Sequence, residues 1–241
     1  MNIIIKDSTT QVDLAAAQFV SQTIRKNPSA VLGLPTGQTP VGLYAQLRRM
    51  HKEENLSFKG VFTVNLDEYV GLAPDDPNSY RFFMQDNLFN HIDICLENTH
   101  VPNGVASDLA AECARYEQMV EALGGVDLMV LGMGTNGHIG FNEPGSPGDG
   151  YTHVVDLLGN TIADNSVYFN DPADVPRRAL TMGIASILAA RSILLVVKGV
   201  SKAAALKAAL KGPVTQELPA SFLQTHSNVT VVLDAGAASL L

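Results

Sequence analysis

The sequence predicts an α/β fold built on an open, mostly parallel sheet with helices on both faces. Two observations predict it. Apolar runs too short for helices recur at 30–34, 61–66, 126–131, 192–197 and 229–233. Near-continuous apolar runs of this length are what strands buried on both faces of a parallel sheet look like. The first run leads into a polar loop and then a helical pattern, and that arrangement recurs with variation after the next three; strands alternating with helices require such a sheet. A chain of 241 residues lies within the range of one α/β domain, so 1–241 is read as a single, doubly wound, Rossmann-like domain.

The elements follow in order. Ile3, Ile4 and Ile5 make an edge strand. Leu14, Ala17, Val20 and Ile24 fall at near-helical spacing over 12–24, and Asn27-Pro28 stops that helix. The strand at 30–34 ends in Pro35-Thr36-Gly37-Gln38-Thr39-Pro40. Helical pattern resumes with Val41, Leu43, Tyr44 and Leu47, which puts Thr39 and Pro40 at N-cap and N1. The strand at 61–66 leads into Asp67-Glu68-Tyr69; Asp75 to Ser79 cap a helix over 80–88; 106–123 is a long amphipathic helix feeding the central strand at 126–131. The strand at 192–197 leads through Lys198-Gly199-Val200-Ser201-Lys202 into a helix over 203–210, and 229–233 adds a last strand. Residues 142–174 are the longest irregular stretch, and a lid or flexible active-site loop is expected there.

Composition excludes several classes. A net charge of -8 argues against nucleic acid, whose phosphates require a basic face. No stretch approaches the roughly 18 consecutive apolar residues of a membrane span, and the charges behind Ile3 to Ile5 come too early for a signal peptide. A cytoplasmic protein is therefore expected. Cys95 and Cys113 have neither ligand spacing nor company, so no metal and no disulfide framework is indicated.

The chain is organised around Gly132-Met133-Gly134-Thr135-Asn136-Gly137-His138-Ile139-Gly140-Phe141-Asn142-Glu143-Pro144. Gly132-x-Gly134-x-x-Gly137 spells the dinucleotide fingerprint, but that fingerprint needs a helix to begin at the glycines. Pro144, Pro147, Gly140, Gly145, Gly148 and Gly150 follow instead, so the stretch is read as an irregular active-site loop.

In parallel sheets ligands bind beyond the carboxyl ends of the strands. The loops at 35–40, 67–69, 132–144 and 198–202 are therefore expected along one edge. Thr36-Gly37-Gln38-Thr39 offers backbone N–H groups at a positive helix end, a site for phosphate or carboxylate, unless Thr39 only caps its own helix. Lys202 adds a cation or faces solvent. After a buried strand, one acid of Asp67-Glu68 can face a ligand while the other turns away; a half-buried carboxylate suits general-base work, the alternatives being a cap or an ion-pair partner. His138 and Glu143 have the parts of an acid/base pair, against the alternative of a structural histidine, the class assigned to His51, His91, His100, His153 and His226. An anion site, a carboxylate base and a His/Glu pair point to proton transfer on a small phosphorylated compound.

The motifs Leu34-Pro35-Thr36-Gly37-x-Thr39-Pro40, Asn65-Leu66-Asp67-Glu68-Tyr69-Val70-Gly71-Leu72, Ser79-Tyr80 and Gly137 to Pro144 closely resemble the glucosamine-6-phosphate deaminase (isomerase) family. The likeness continues through Ala179 to Gly183, Ser201-Lys202-Ala203 and Pro219 to His226; the related 6-phosphogluconolactonases share the fold and the anion loop but differ after the Gly-His pair. The resemblance implies conversion of glucosamine 6-phosphate and water to fructose 6-phosphate and ammonia, with no cofactor. It implies that His138, held by Glu143 and Asn136, opens the pyranose ring, that Asp67 carries a proton from C2 to C1, and that Pro35 to Thr39 with Lys202 hold the phosphate.

Three positions depart from the family pattern. Asn136 stands where many members have Asp. Tyr151 and Val167 stand where many have Arg, which bears on phosphate affinity or substrate identity. The chain stops soon after the strand at 229–233, where the longer allosteric hexamers continue, so a short unregulated monomer or low-order oligomer is expected. Two alternatives stay open: an isomerase, deaminase or lactonase on another sugar phosphate such as galactosamine 6-phosphate, and a catalytically weak sugar-phosphate binder.

Overall fold

Each apolar run is short because it has only to cross one sheet. The computed structural model of the chain describes residues 1–159, 169, 171 and 174–241. In chain order its strands and helices are β1 (Asn2–Lys6), α1 (Thr9–Lys26), β2 (Val31–Leu34), α2 (Val41–Glu54), β3 (Phe62–Asn65), β4 (Asp67–Tyr69), α3 (Tyr80–Asn87), β5 (Thr99–His100), α4 (Leu109–Ala122), β6 (Leu128–Leu131), β7 (His153–Asp156), β8 (Arg178–Thr181), α5 (Ile184–Leu188), β9 (Ile193–Val197), α6 (Ala203–Lys211) and β10 (Val229–Asp234). Seven strands form one sheet in the order β1-β10-β9-β6-β2-β3-β5, and every adjacent pair is parallel.

The core explains the unbroken apolar runs. Along β6, Leu128 and Val130 enter one buried cluster while Met129 and Leu131 enter another; along β9, Leu194 and Val196 oppose Ile193, Leu195 and Val197 in the same way. The first cluster is closed by Val12, Ala16 and Val20 of α1 and Leu43, Tyr44 and Leu47 of α2, the second by Tyr116 of α4 and Leu206 of α6. With period 2 and apolar cover on both faces, alternation disappears from the sequence. Each fully buried Leu, Ile or Val contributes about 1.5–3 kcal/mol.

Helix starts follow side-chain caps where the sequence offers them. Ser79 accepts from the Phe82 amide at 3.0 Å to open α3, and Asp108 accepts from Ala111 at 3.0 Å to open α4. At α2 the expected arrangement is corrected by one residue: Pro40 occupies the N-cap, no side chain caps it, and Val41 is N1. Pro40 already has αR geometry, φ -85° and ψ -6°, so it carries the chain into the helix and leaves the Thr39 hydroxyl out of the cap.

A second sheet corrects the reading of 67–69 as a loop. β4, β8 and β7 form an antiparallel sheet in that order, with Asp67 opposite Thr181 and His153 opposite Thr181 from the other side. Three-residue strands carry no measurable periodicity, and two acids in a fully buried strand run against composition. The stretch 142–174 is not irregular throughout, since His153–Asp156 forms β7; the lid expected there falls in part on residues outside those described. Among the described residues no helix is long and apolar enough to cross a membrane.

Candidate active site

Strand order reverses between β2 and β6. From β2 the chain builds outward through β3 and β5, and from β6 it builds the other way through β9 and β10. The loops after β2 and β6 therefore diverge, and a crevice opens between them at the carboxyl ends of the strands. A cavity of about 320 Å³ lies there, lined by Pro35 to Thr39, Leu66, Asp67, Tyr80, Gly132 to Thr135, His138, Gly140, Phe141 and Lys202. All four stretches expected to gather reach it, three as loops and 67–69 as β4 through Asp67.

One wall is prepared for an anion. Gly37 takes φ +80°, which bends the loop after β2, and none of the backbone N–H groups of Thr36 to Thr39 donates to another described residue. They sit at the amino end of the 14-residue α2, where the helix dipole favours negative charge. The buried Tyr44 hydroxyl donates to the Pro35 carbonyl, and Asn65 Nδ2 donates to the Leu34 carbonyl at 2.9 Å, so the loop is anchored from below. Lys202 closes the same wall, its Nζ donating to the Met133 carbonyl, and it is the one cation among the described residues lining the cavity. Lys198 points elsewhere and pairs with Asp13 of α1 at 2.7 Å.

The opposite side carries Asp67. It is buried, and no described residue donates a hydrogen bond to its carboxylate. Burial, then the neighbouring charge of Glu68, push its carboxyl up to about 8. Glu68 turns away, as one of the two acids was expected to, and accepts three backbone N–H groups instead.

The central loop is irregular and begins no helix, which upholds the rejection of a nucleotide fingerprint. It is pinned to the second sheet. Phe141 N donates to Thr181 Oγ1 at 3.1 Å, and the buried Asn142 amide donates to the Ile139 and Met182 carbonyls at 2.9 and 2.8 Å. Because Asp67 is the register partner of Thr181, the same contacts bring His138 and Asp67 to one cavity.

His138 is held through Asn136. Asn136 Oδ1 accepts the His138 backbone N–H at 3.2 Å, which identifies that atom as the oxygen; His138 Nδ1, 2.7 Å from it, must then be the protonated nitrogen. Asn136 Nδ2 donates to Glu143 Oε2 at 2.7 Å, and Nδ1 lies 3.6 Å from that carboxylate. The result is a Glu143–Asn136–His138 chain in which, when the imidazole is neutral, Nε2 is the acceptor nitrogen. Gly134 is required by close packing, since a Cβ there would stand 2.1 Å from His138 Cε1.

Not every singled-out residue lines the cavity. Asn136 and Glu143 stand behind His138, and Tyr151 is two-thirds exposed and outside the lining. Val167 lies outside the described residues. The five histidines read as structural also lie outside this cavity; His51 and His226, for example, bind the Leu56 and Ala190 carbonyls. Tyr80 and Phe141 line it without having been assigned a role, stacked at 6.1 Å with their planes 11° apart.

Fold and site define an α/β protein with a cleft at the topological switch point, lined by the loop after β2, Lys202, Asp67 and His138. The chain belongs to the family described as glucosamine-6-phosphate isomerases/6-phosphogluconolactonase, which matches residues 6–232. It is 47% identical to a glucosamine-6-phosphate deaminase of Thermoanaerobacter sp. (strain X514) over 100% of this chain and 95% of that one. It is 53% identical to glucosamine-6-phosphate deaminase 1 of Bacillus subtilis (strain 168) over 93% of each. A solved structure described as a monomeric glucosamine-6-phosphate deaminase superposes with a TM-score of 0.98 at 50% identity, covering both chains completely. A 6-phosphogluconolactonase from Trypanosoma brucei, at 18% identity and a TM-score of 0.79, shares the fold.

Proposed function

We propose that the chain is a glucosamine-6-phosphate deaminase, releasing ammonia from glucosamine 6-phosphate with water to leave fructose 6-phosphate. The observation that carries the reading is the convergence in one cavity of Asp67 with raised proton affinity, the oriented His138, and an anion wall made by Pro35 to Thr39 and Lys202.

The geometry supports the following course. The phosphate docks on the free amides after β2 and on Lys202, which fixes the sugar from the end remote from the chemistry. His138 Nε2 takes the C1 hydroxyl proton and returns it to the ring oxygen, opening the pyranose, while Nδ1 stays bound to Asn136 so that the tautomer is kept. Asp67 removes the C2 proton, giving a C1–C2 enolamine, and delivers it to C1. The imine left at C2 is hydrolysed by water to the ketone, and ammonia departs. A base with a carboxyl near 8 is well matched to removing a carbon-bound proton.

Purified protein given glucosamine 6-phosphate, galactosamine 6-phosphate or unphosphorylated glucosamine should release ammonia from the first alone. Release from galactosamine 6-phosphate in preference would move the assignment to that sugar, and release from none would overturn it. Asn136→Ala should lower kcat by about 10- to 100-fold with little change in KM, a share of the ~10²–10⁴ that a positioned acid/base supplies. An unchanged kcat would remove Asn136 from the His138 chain. We further read the protein as a cytoplasmic monomer or low-order oligomer with no nucleic-acid partner, supported by the monomeric relative, the free thiols of Cys95 and Cys113 and the net charge of -8.

A further inference from the structure

Asp67 and Glu68 are consecutive in β4, so their side chains leave opposite faces of the strand. Asp67 lines the catalytic cavity; Glu68 lines a second one, of about 240 Å³, with Arg81, His100 and Arg115. Its two oxygens are fully engaged. Oε1 accepts from the amides of Tyr69 at 2.8 Å and Tyr80 at 2.9 Å, and Oε2 from Arg81 at 3.0 Å. Tyr80 and Arg81 are the first two residues of α3, so the carboxylate ties the positive end of that helix to β4. A pair of neighbouring buried carboxyls does not ionise together, and the one with three N–H donors ionises first.

We propose that Glu68 is a positioning residue for Asp67: it locks β4 onto the amino end of α3 so that Asp67 faces the substrate, and once ionised its negative charge makes Asp67 a stronger base. The inference rests on the deaminase reading. It accords with the carboxyls themselves, Glu68 at about 7, raised by burial and held down by the three amides, and Asp67 at about 8. The other ionisable groups around the pair divide between the two faces of β4. Tyr44 of α2, Tyr80 of α3 and Tyr116 of α4 are phenols raised further by burial and stay neutral, and His138 and Lys202 lie on the Asp67 side. Asp76, Arg81, His100 and Arg115 lie on the Glu68 side, and His100 is held low by burial and by the two arginines.

The test is the pH profile of kcat/KM in wild type, Glu68→Gln and Glu68→Asp. Gln keeps the size and removes the charge, so the acid limb should move down by about one unit. With a base roughly threefold weaker, Glu68→Gln should be ~3-fold slower above pH 9, and below pH 6, where Glu68 of the wild type is itself protonated, the two profiles should converge. Glu68→Asp retains the charge, and its limb should stay with the wild type. A uniform loss at every pH with an unmoved limb overturns the proposal, as does an equal shift in Glu68→Asp. Carbon-13 NMR titration of the Asp67 carboxyl reads the same shift without turnover, so an absence of ammonia from the wild type would count against the deaminase reading alone. Should Glu68→Gln not fold, the wild-type titration decides: Glu68 ionising before Asp67 supports the proposal, and the reverse order sinks it.

Discussion

Asp67→Asn should abolish ammonia release, by ~10³- to 10⁴-fold in kcat, while the variant still binds the sugar phosphate and unfolds at a higher temperature than the wild type at pH 9. The first half follows from chemistry: an amide cannot accept the C2 proton, and no other carboxylate among the described residues lines the cavity. The second half follows from burial. The Asp67 carboxyl is at about 8 in the fold and near 3.9 in an unfolded chain, so between those values the folded state binds more protons. The contribution of this group to stability is therefore fully present below about pH 4 and is lost as pH rises through about 8. Asn carries no such burden, so the gain in Tm should be several degrees at pH 9 and near zero at pH 4. Thermal unfolding at both pH values, with equilibrium binding of glucosamine 6-phosphate, checks both halves. Residual turnover within tenfold of the wild type would remove Asp67 as the base, and a Tm gain equal at both pH values would detach stability from its ionisation.

What was legible in the sequence was whatever periodicity or chain stiffness expresses directly. The five apolar runs became β2, β3, β6, β9 and β10, and Ile3 to Ile5 the edge strand β1, because a strand buried on both faces has no polar position to interrupt it. Asn27-Pro28 and Ser79 marked helix boundaries for local reasons that need no tertiary context. The second sheet was illegible because it is tertiary in origin: β4, β7 and β8 are three or four residues long, drawn from 67–69, 153–156 and 178–181, and each is a strand only because the others pair with it. For the site, the rule that parallel strands end at the ligand brought four distant stretches together, although 67–69 is a strand and not a loop. It did not reveal that Thr181 joins Asp67 to the His138 loop, nor that Asn136 intervenes between His138 and Glu143. Tyr80 shows the same limit: Ser79 sets where α3 begins, but where that helix end sits against the cavity is fixed by Glu68 from another element.

The second large effect belongs to Lys202. The family often places Arg where this chain has Tyr151 and Val167, and Tyr151 is exposed away from the cavity, so among the described residues the cation on the anion wall is Lys202. A charge-assisted contact contributes about 1.5–3 kcal/mol, and Lys202→Met should therefore lower kcat/KM for glucosamine 6-phosphate by ~10- to 100-fold, chiefly through KM. The phosphate lies at the end of the sugar remote from C1 and C2, so kcat should change much less. Competitive inhibition by inorganic phosphate should weaken by the same factor, and the difference between wild type and variant should shrink in high salt. Lys202 also donates to the Met133 carbonyl, which gives a structural account of any loss: without that contact the central loop and His138 shift. The two accounts separate cleanly. A phosphate role raises KM and the phosphate inhibition constant together; a loop role lowers kcat and leaves phosphate inhibition where it was, and that second outcome would take Lys202 off the phosphate.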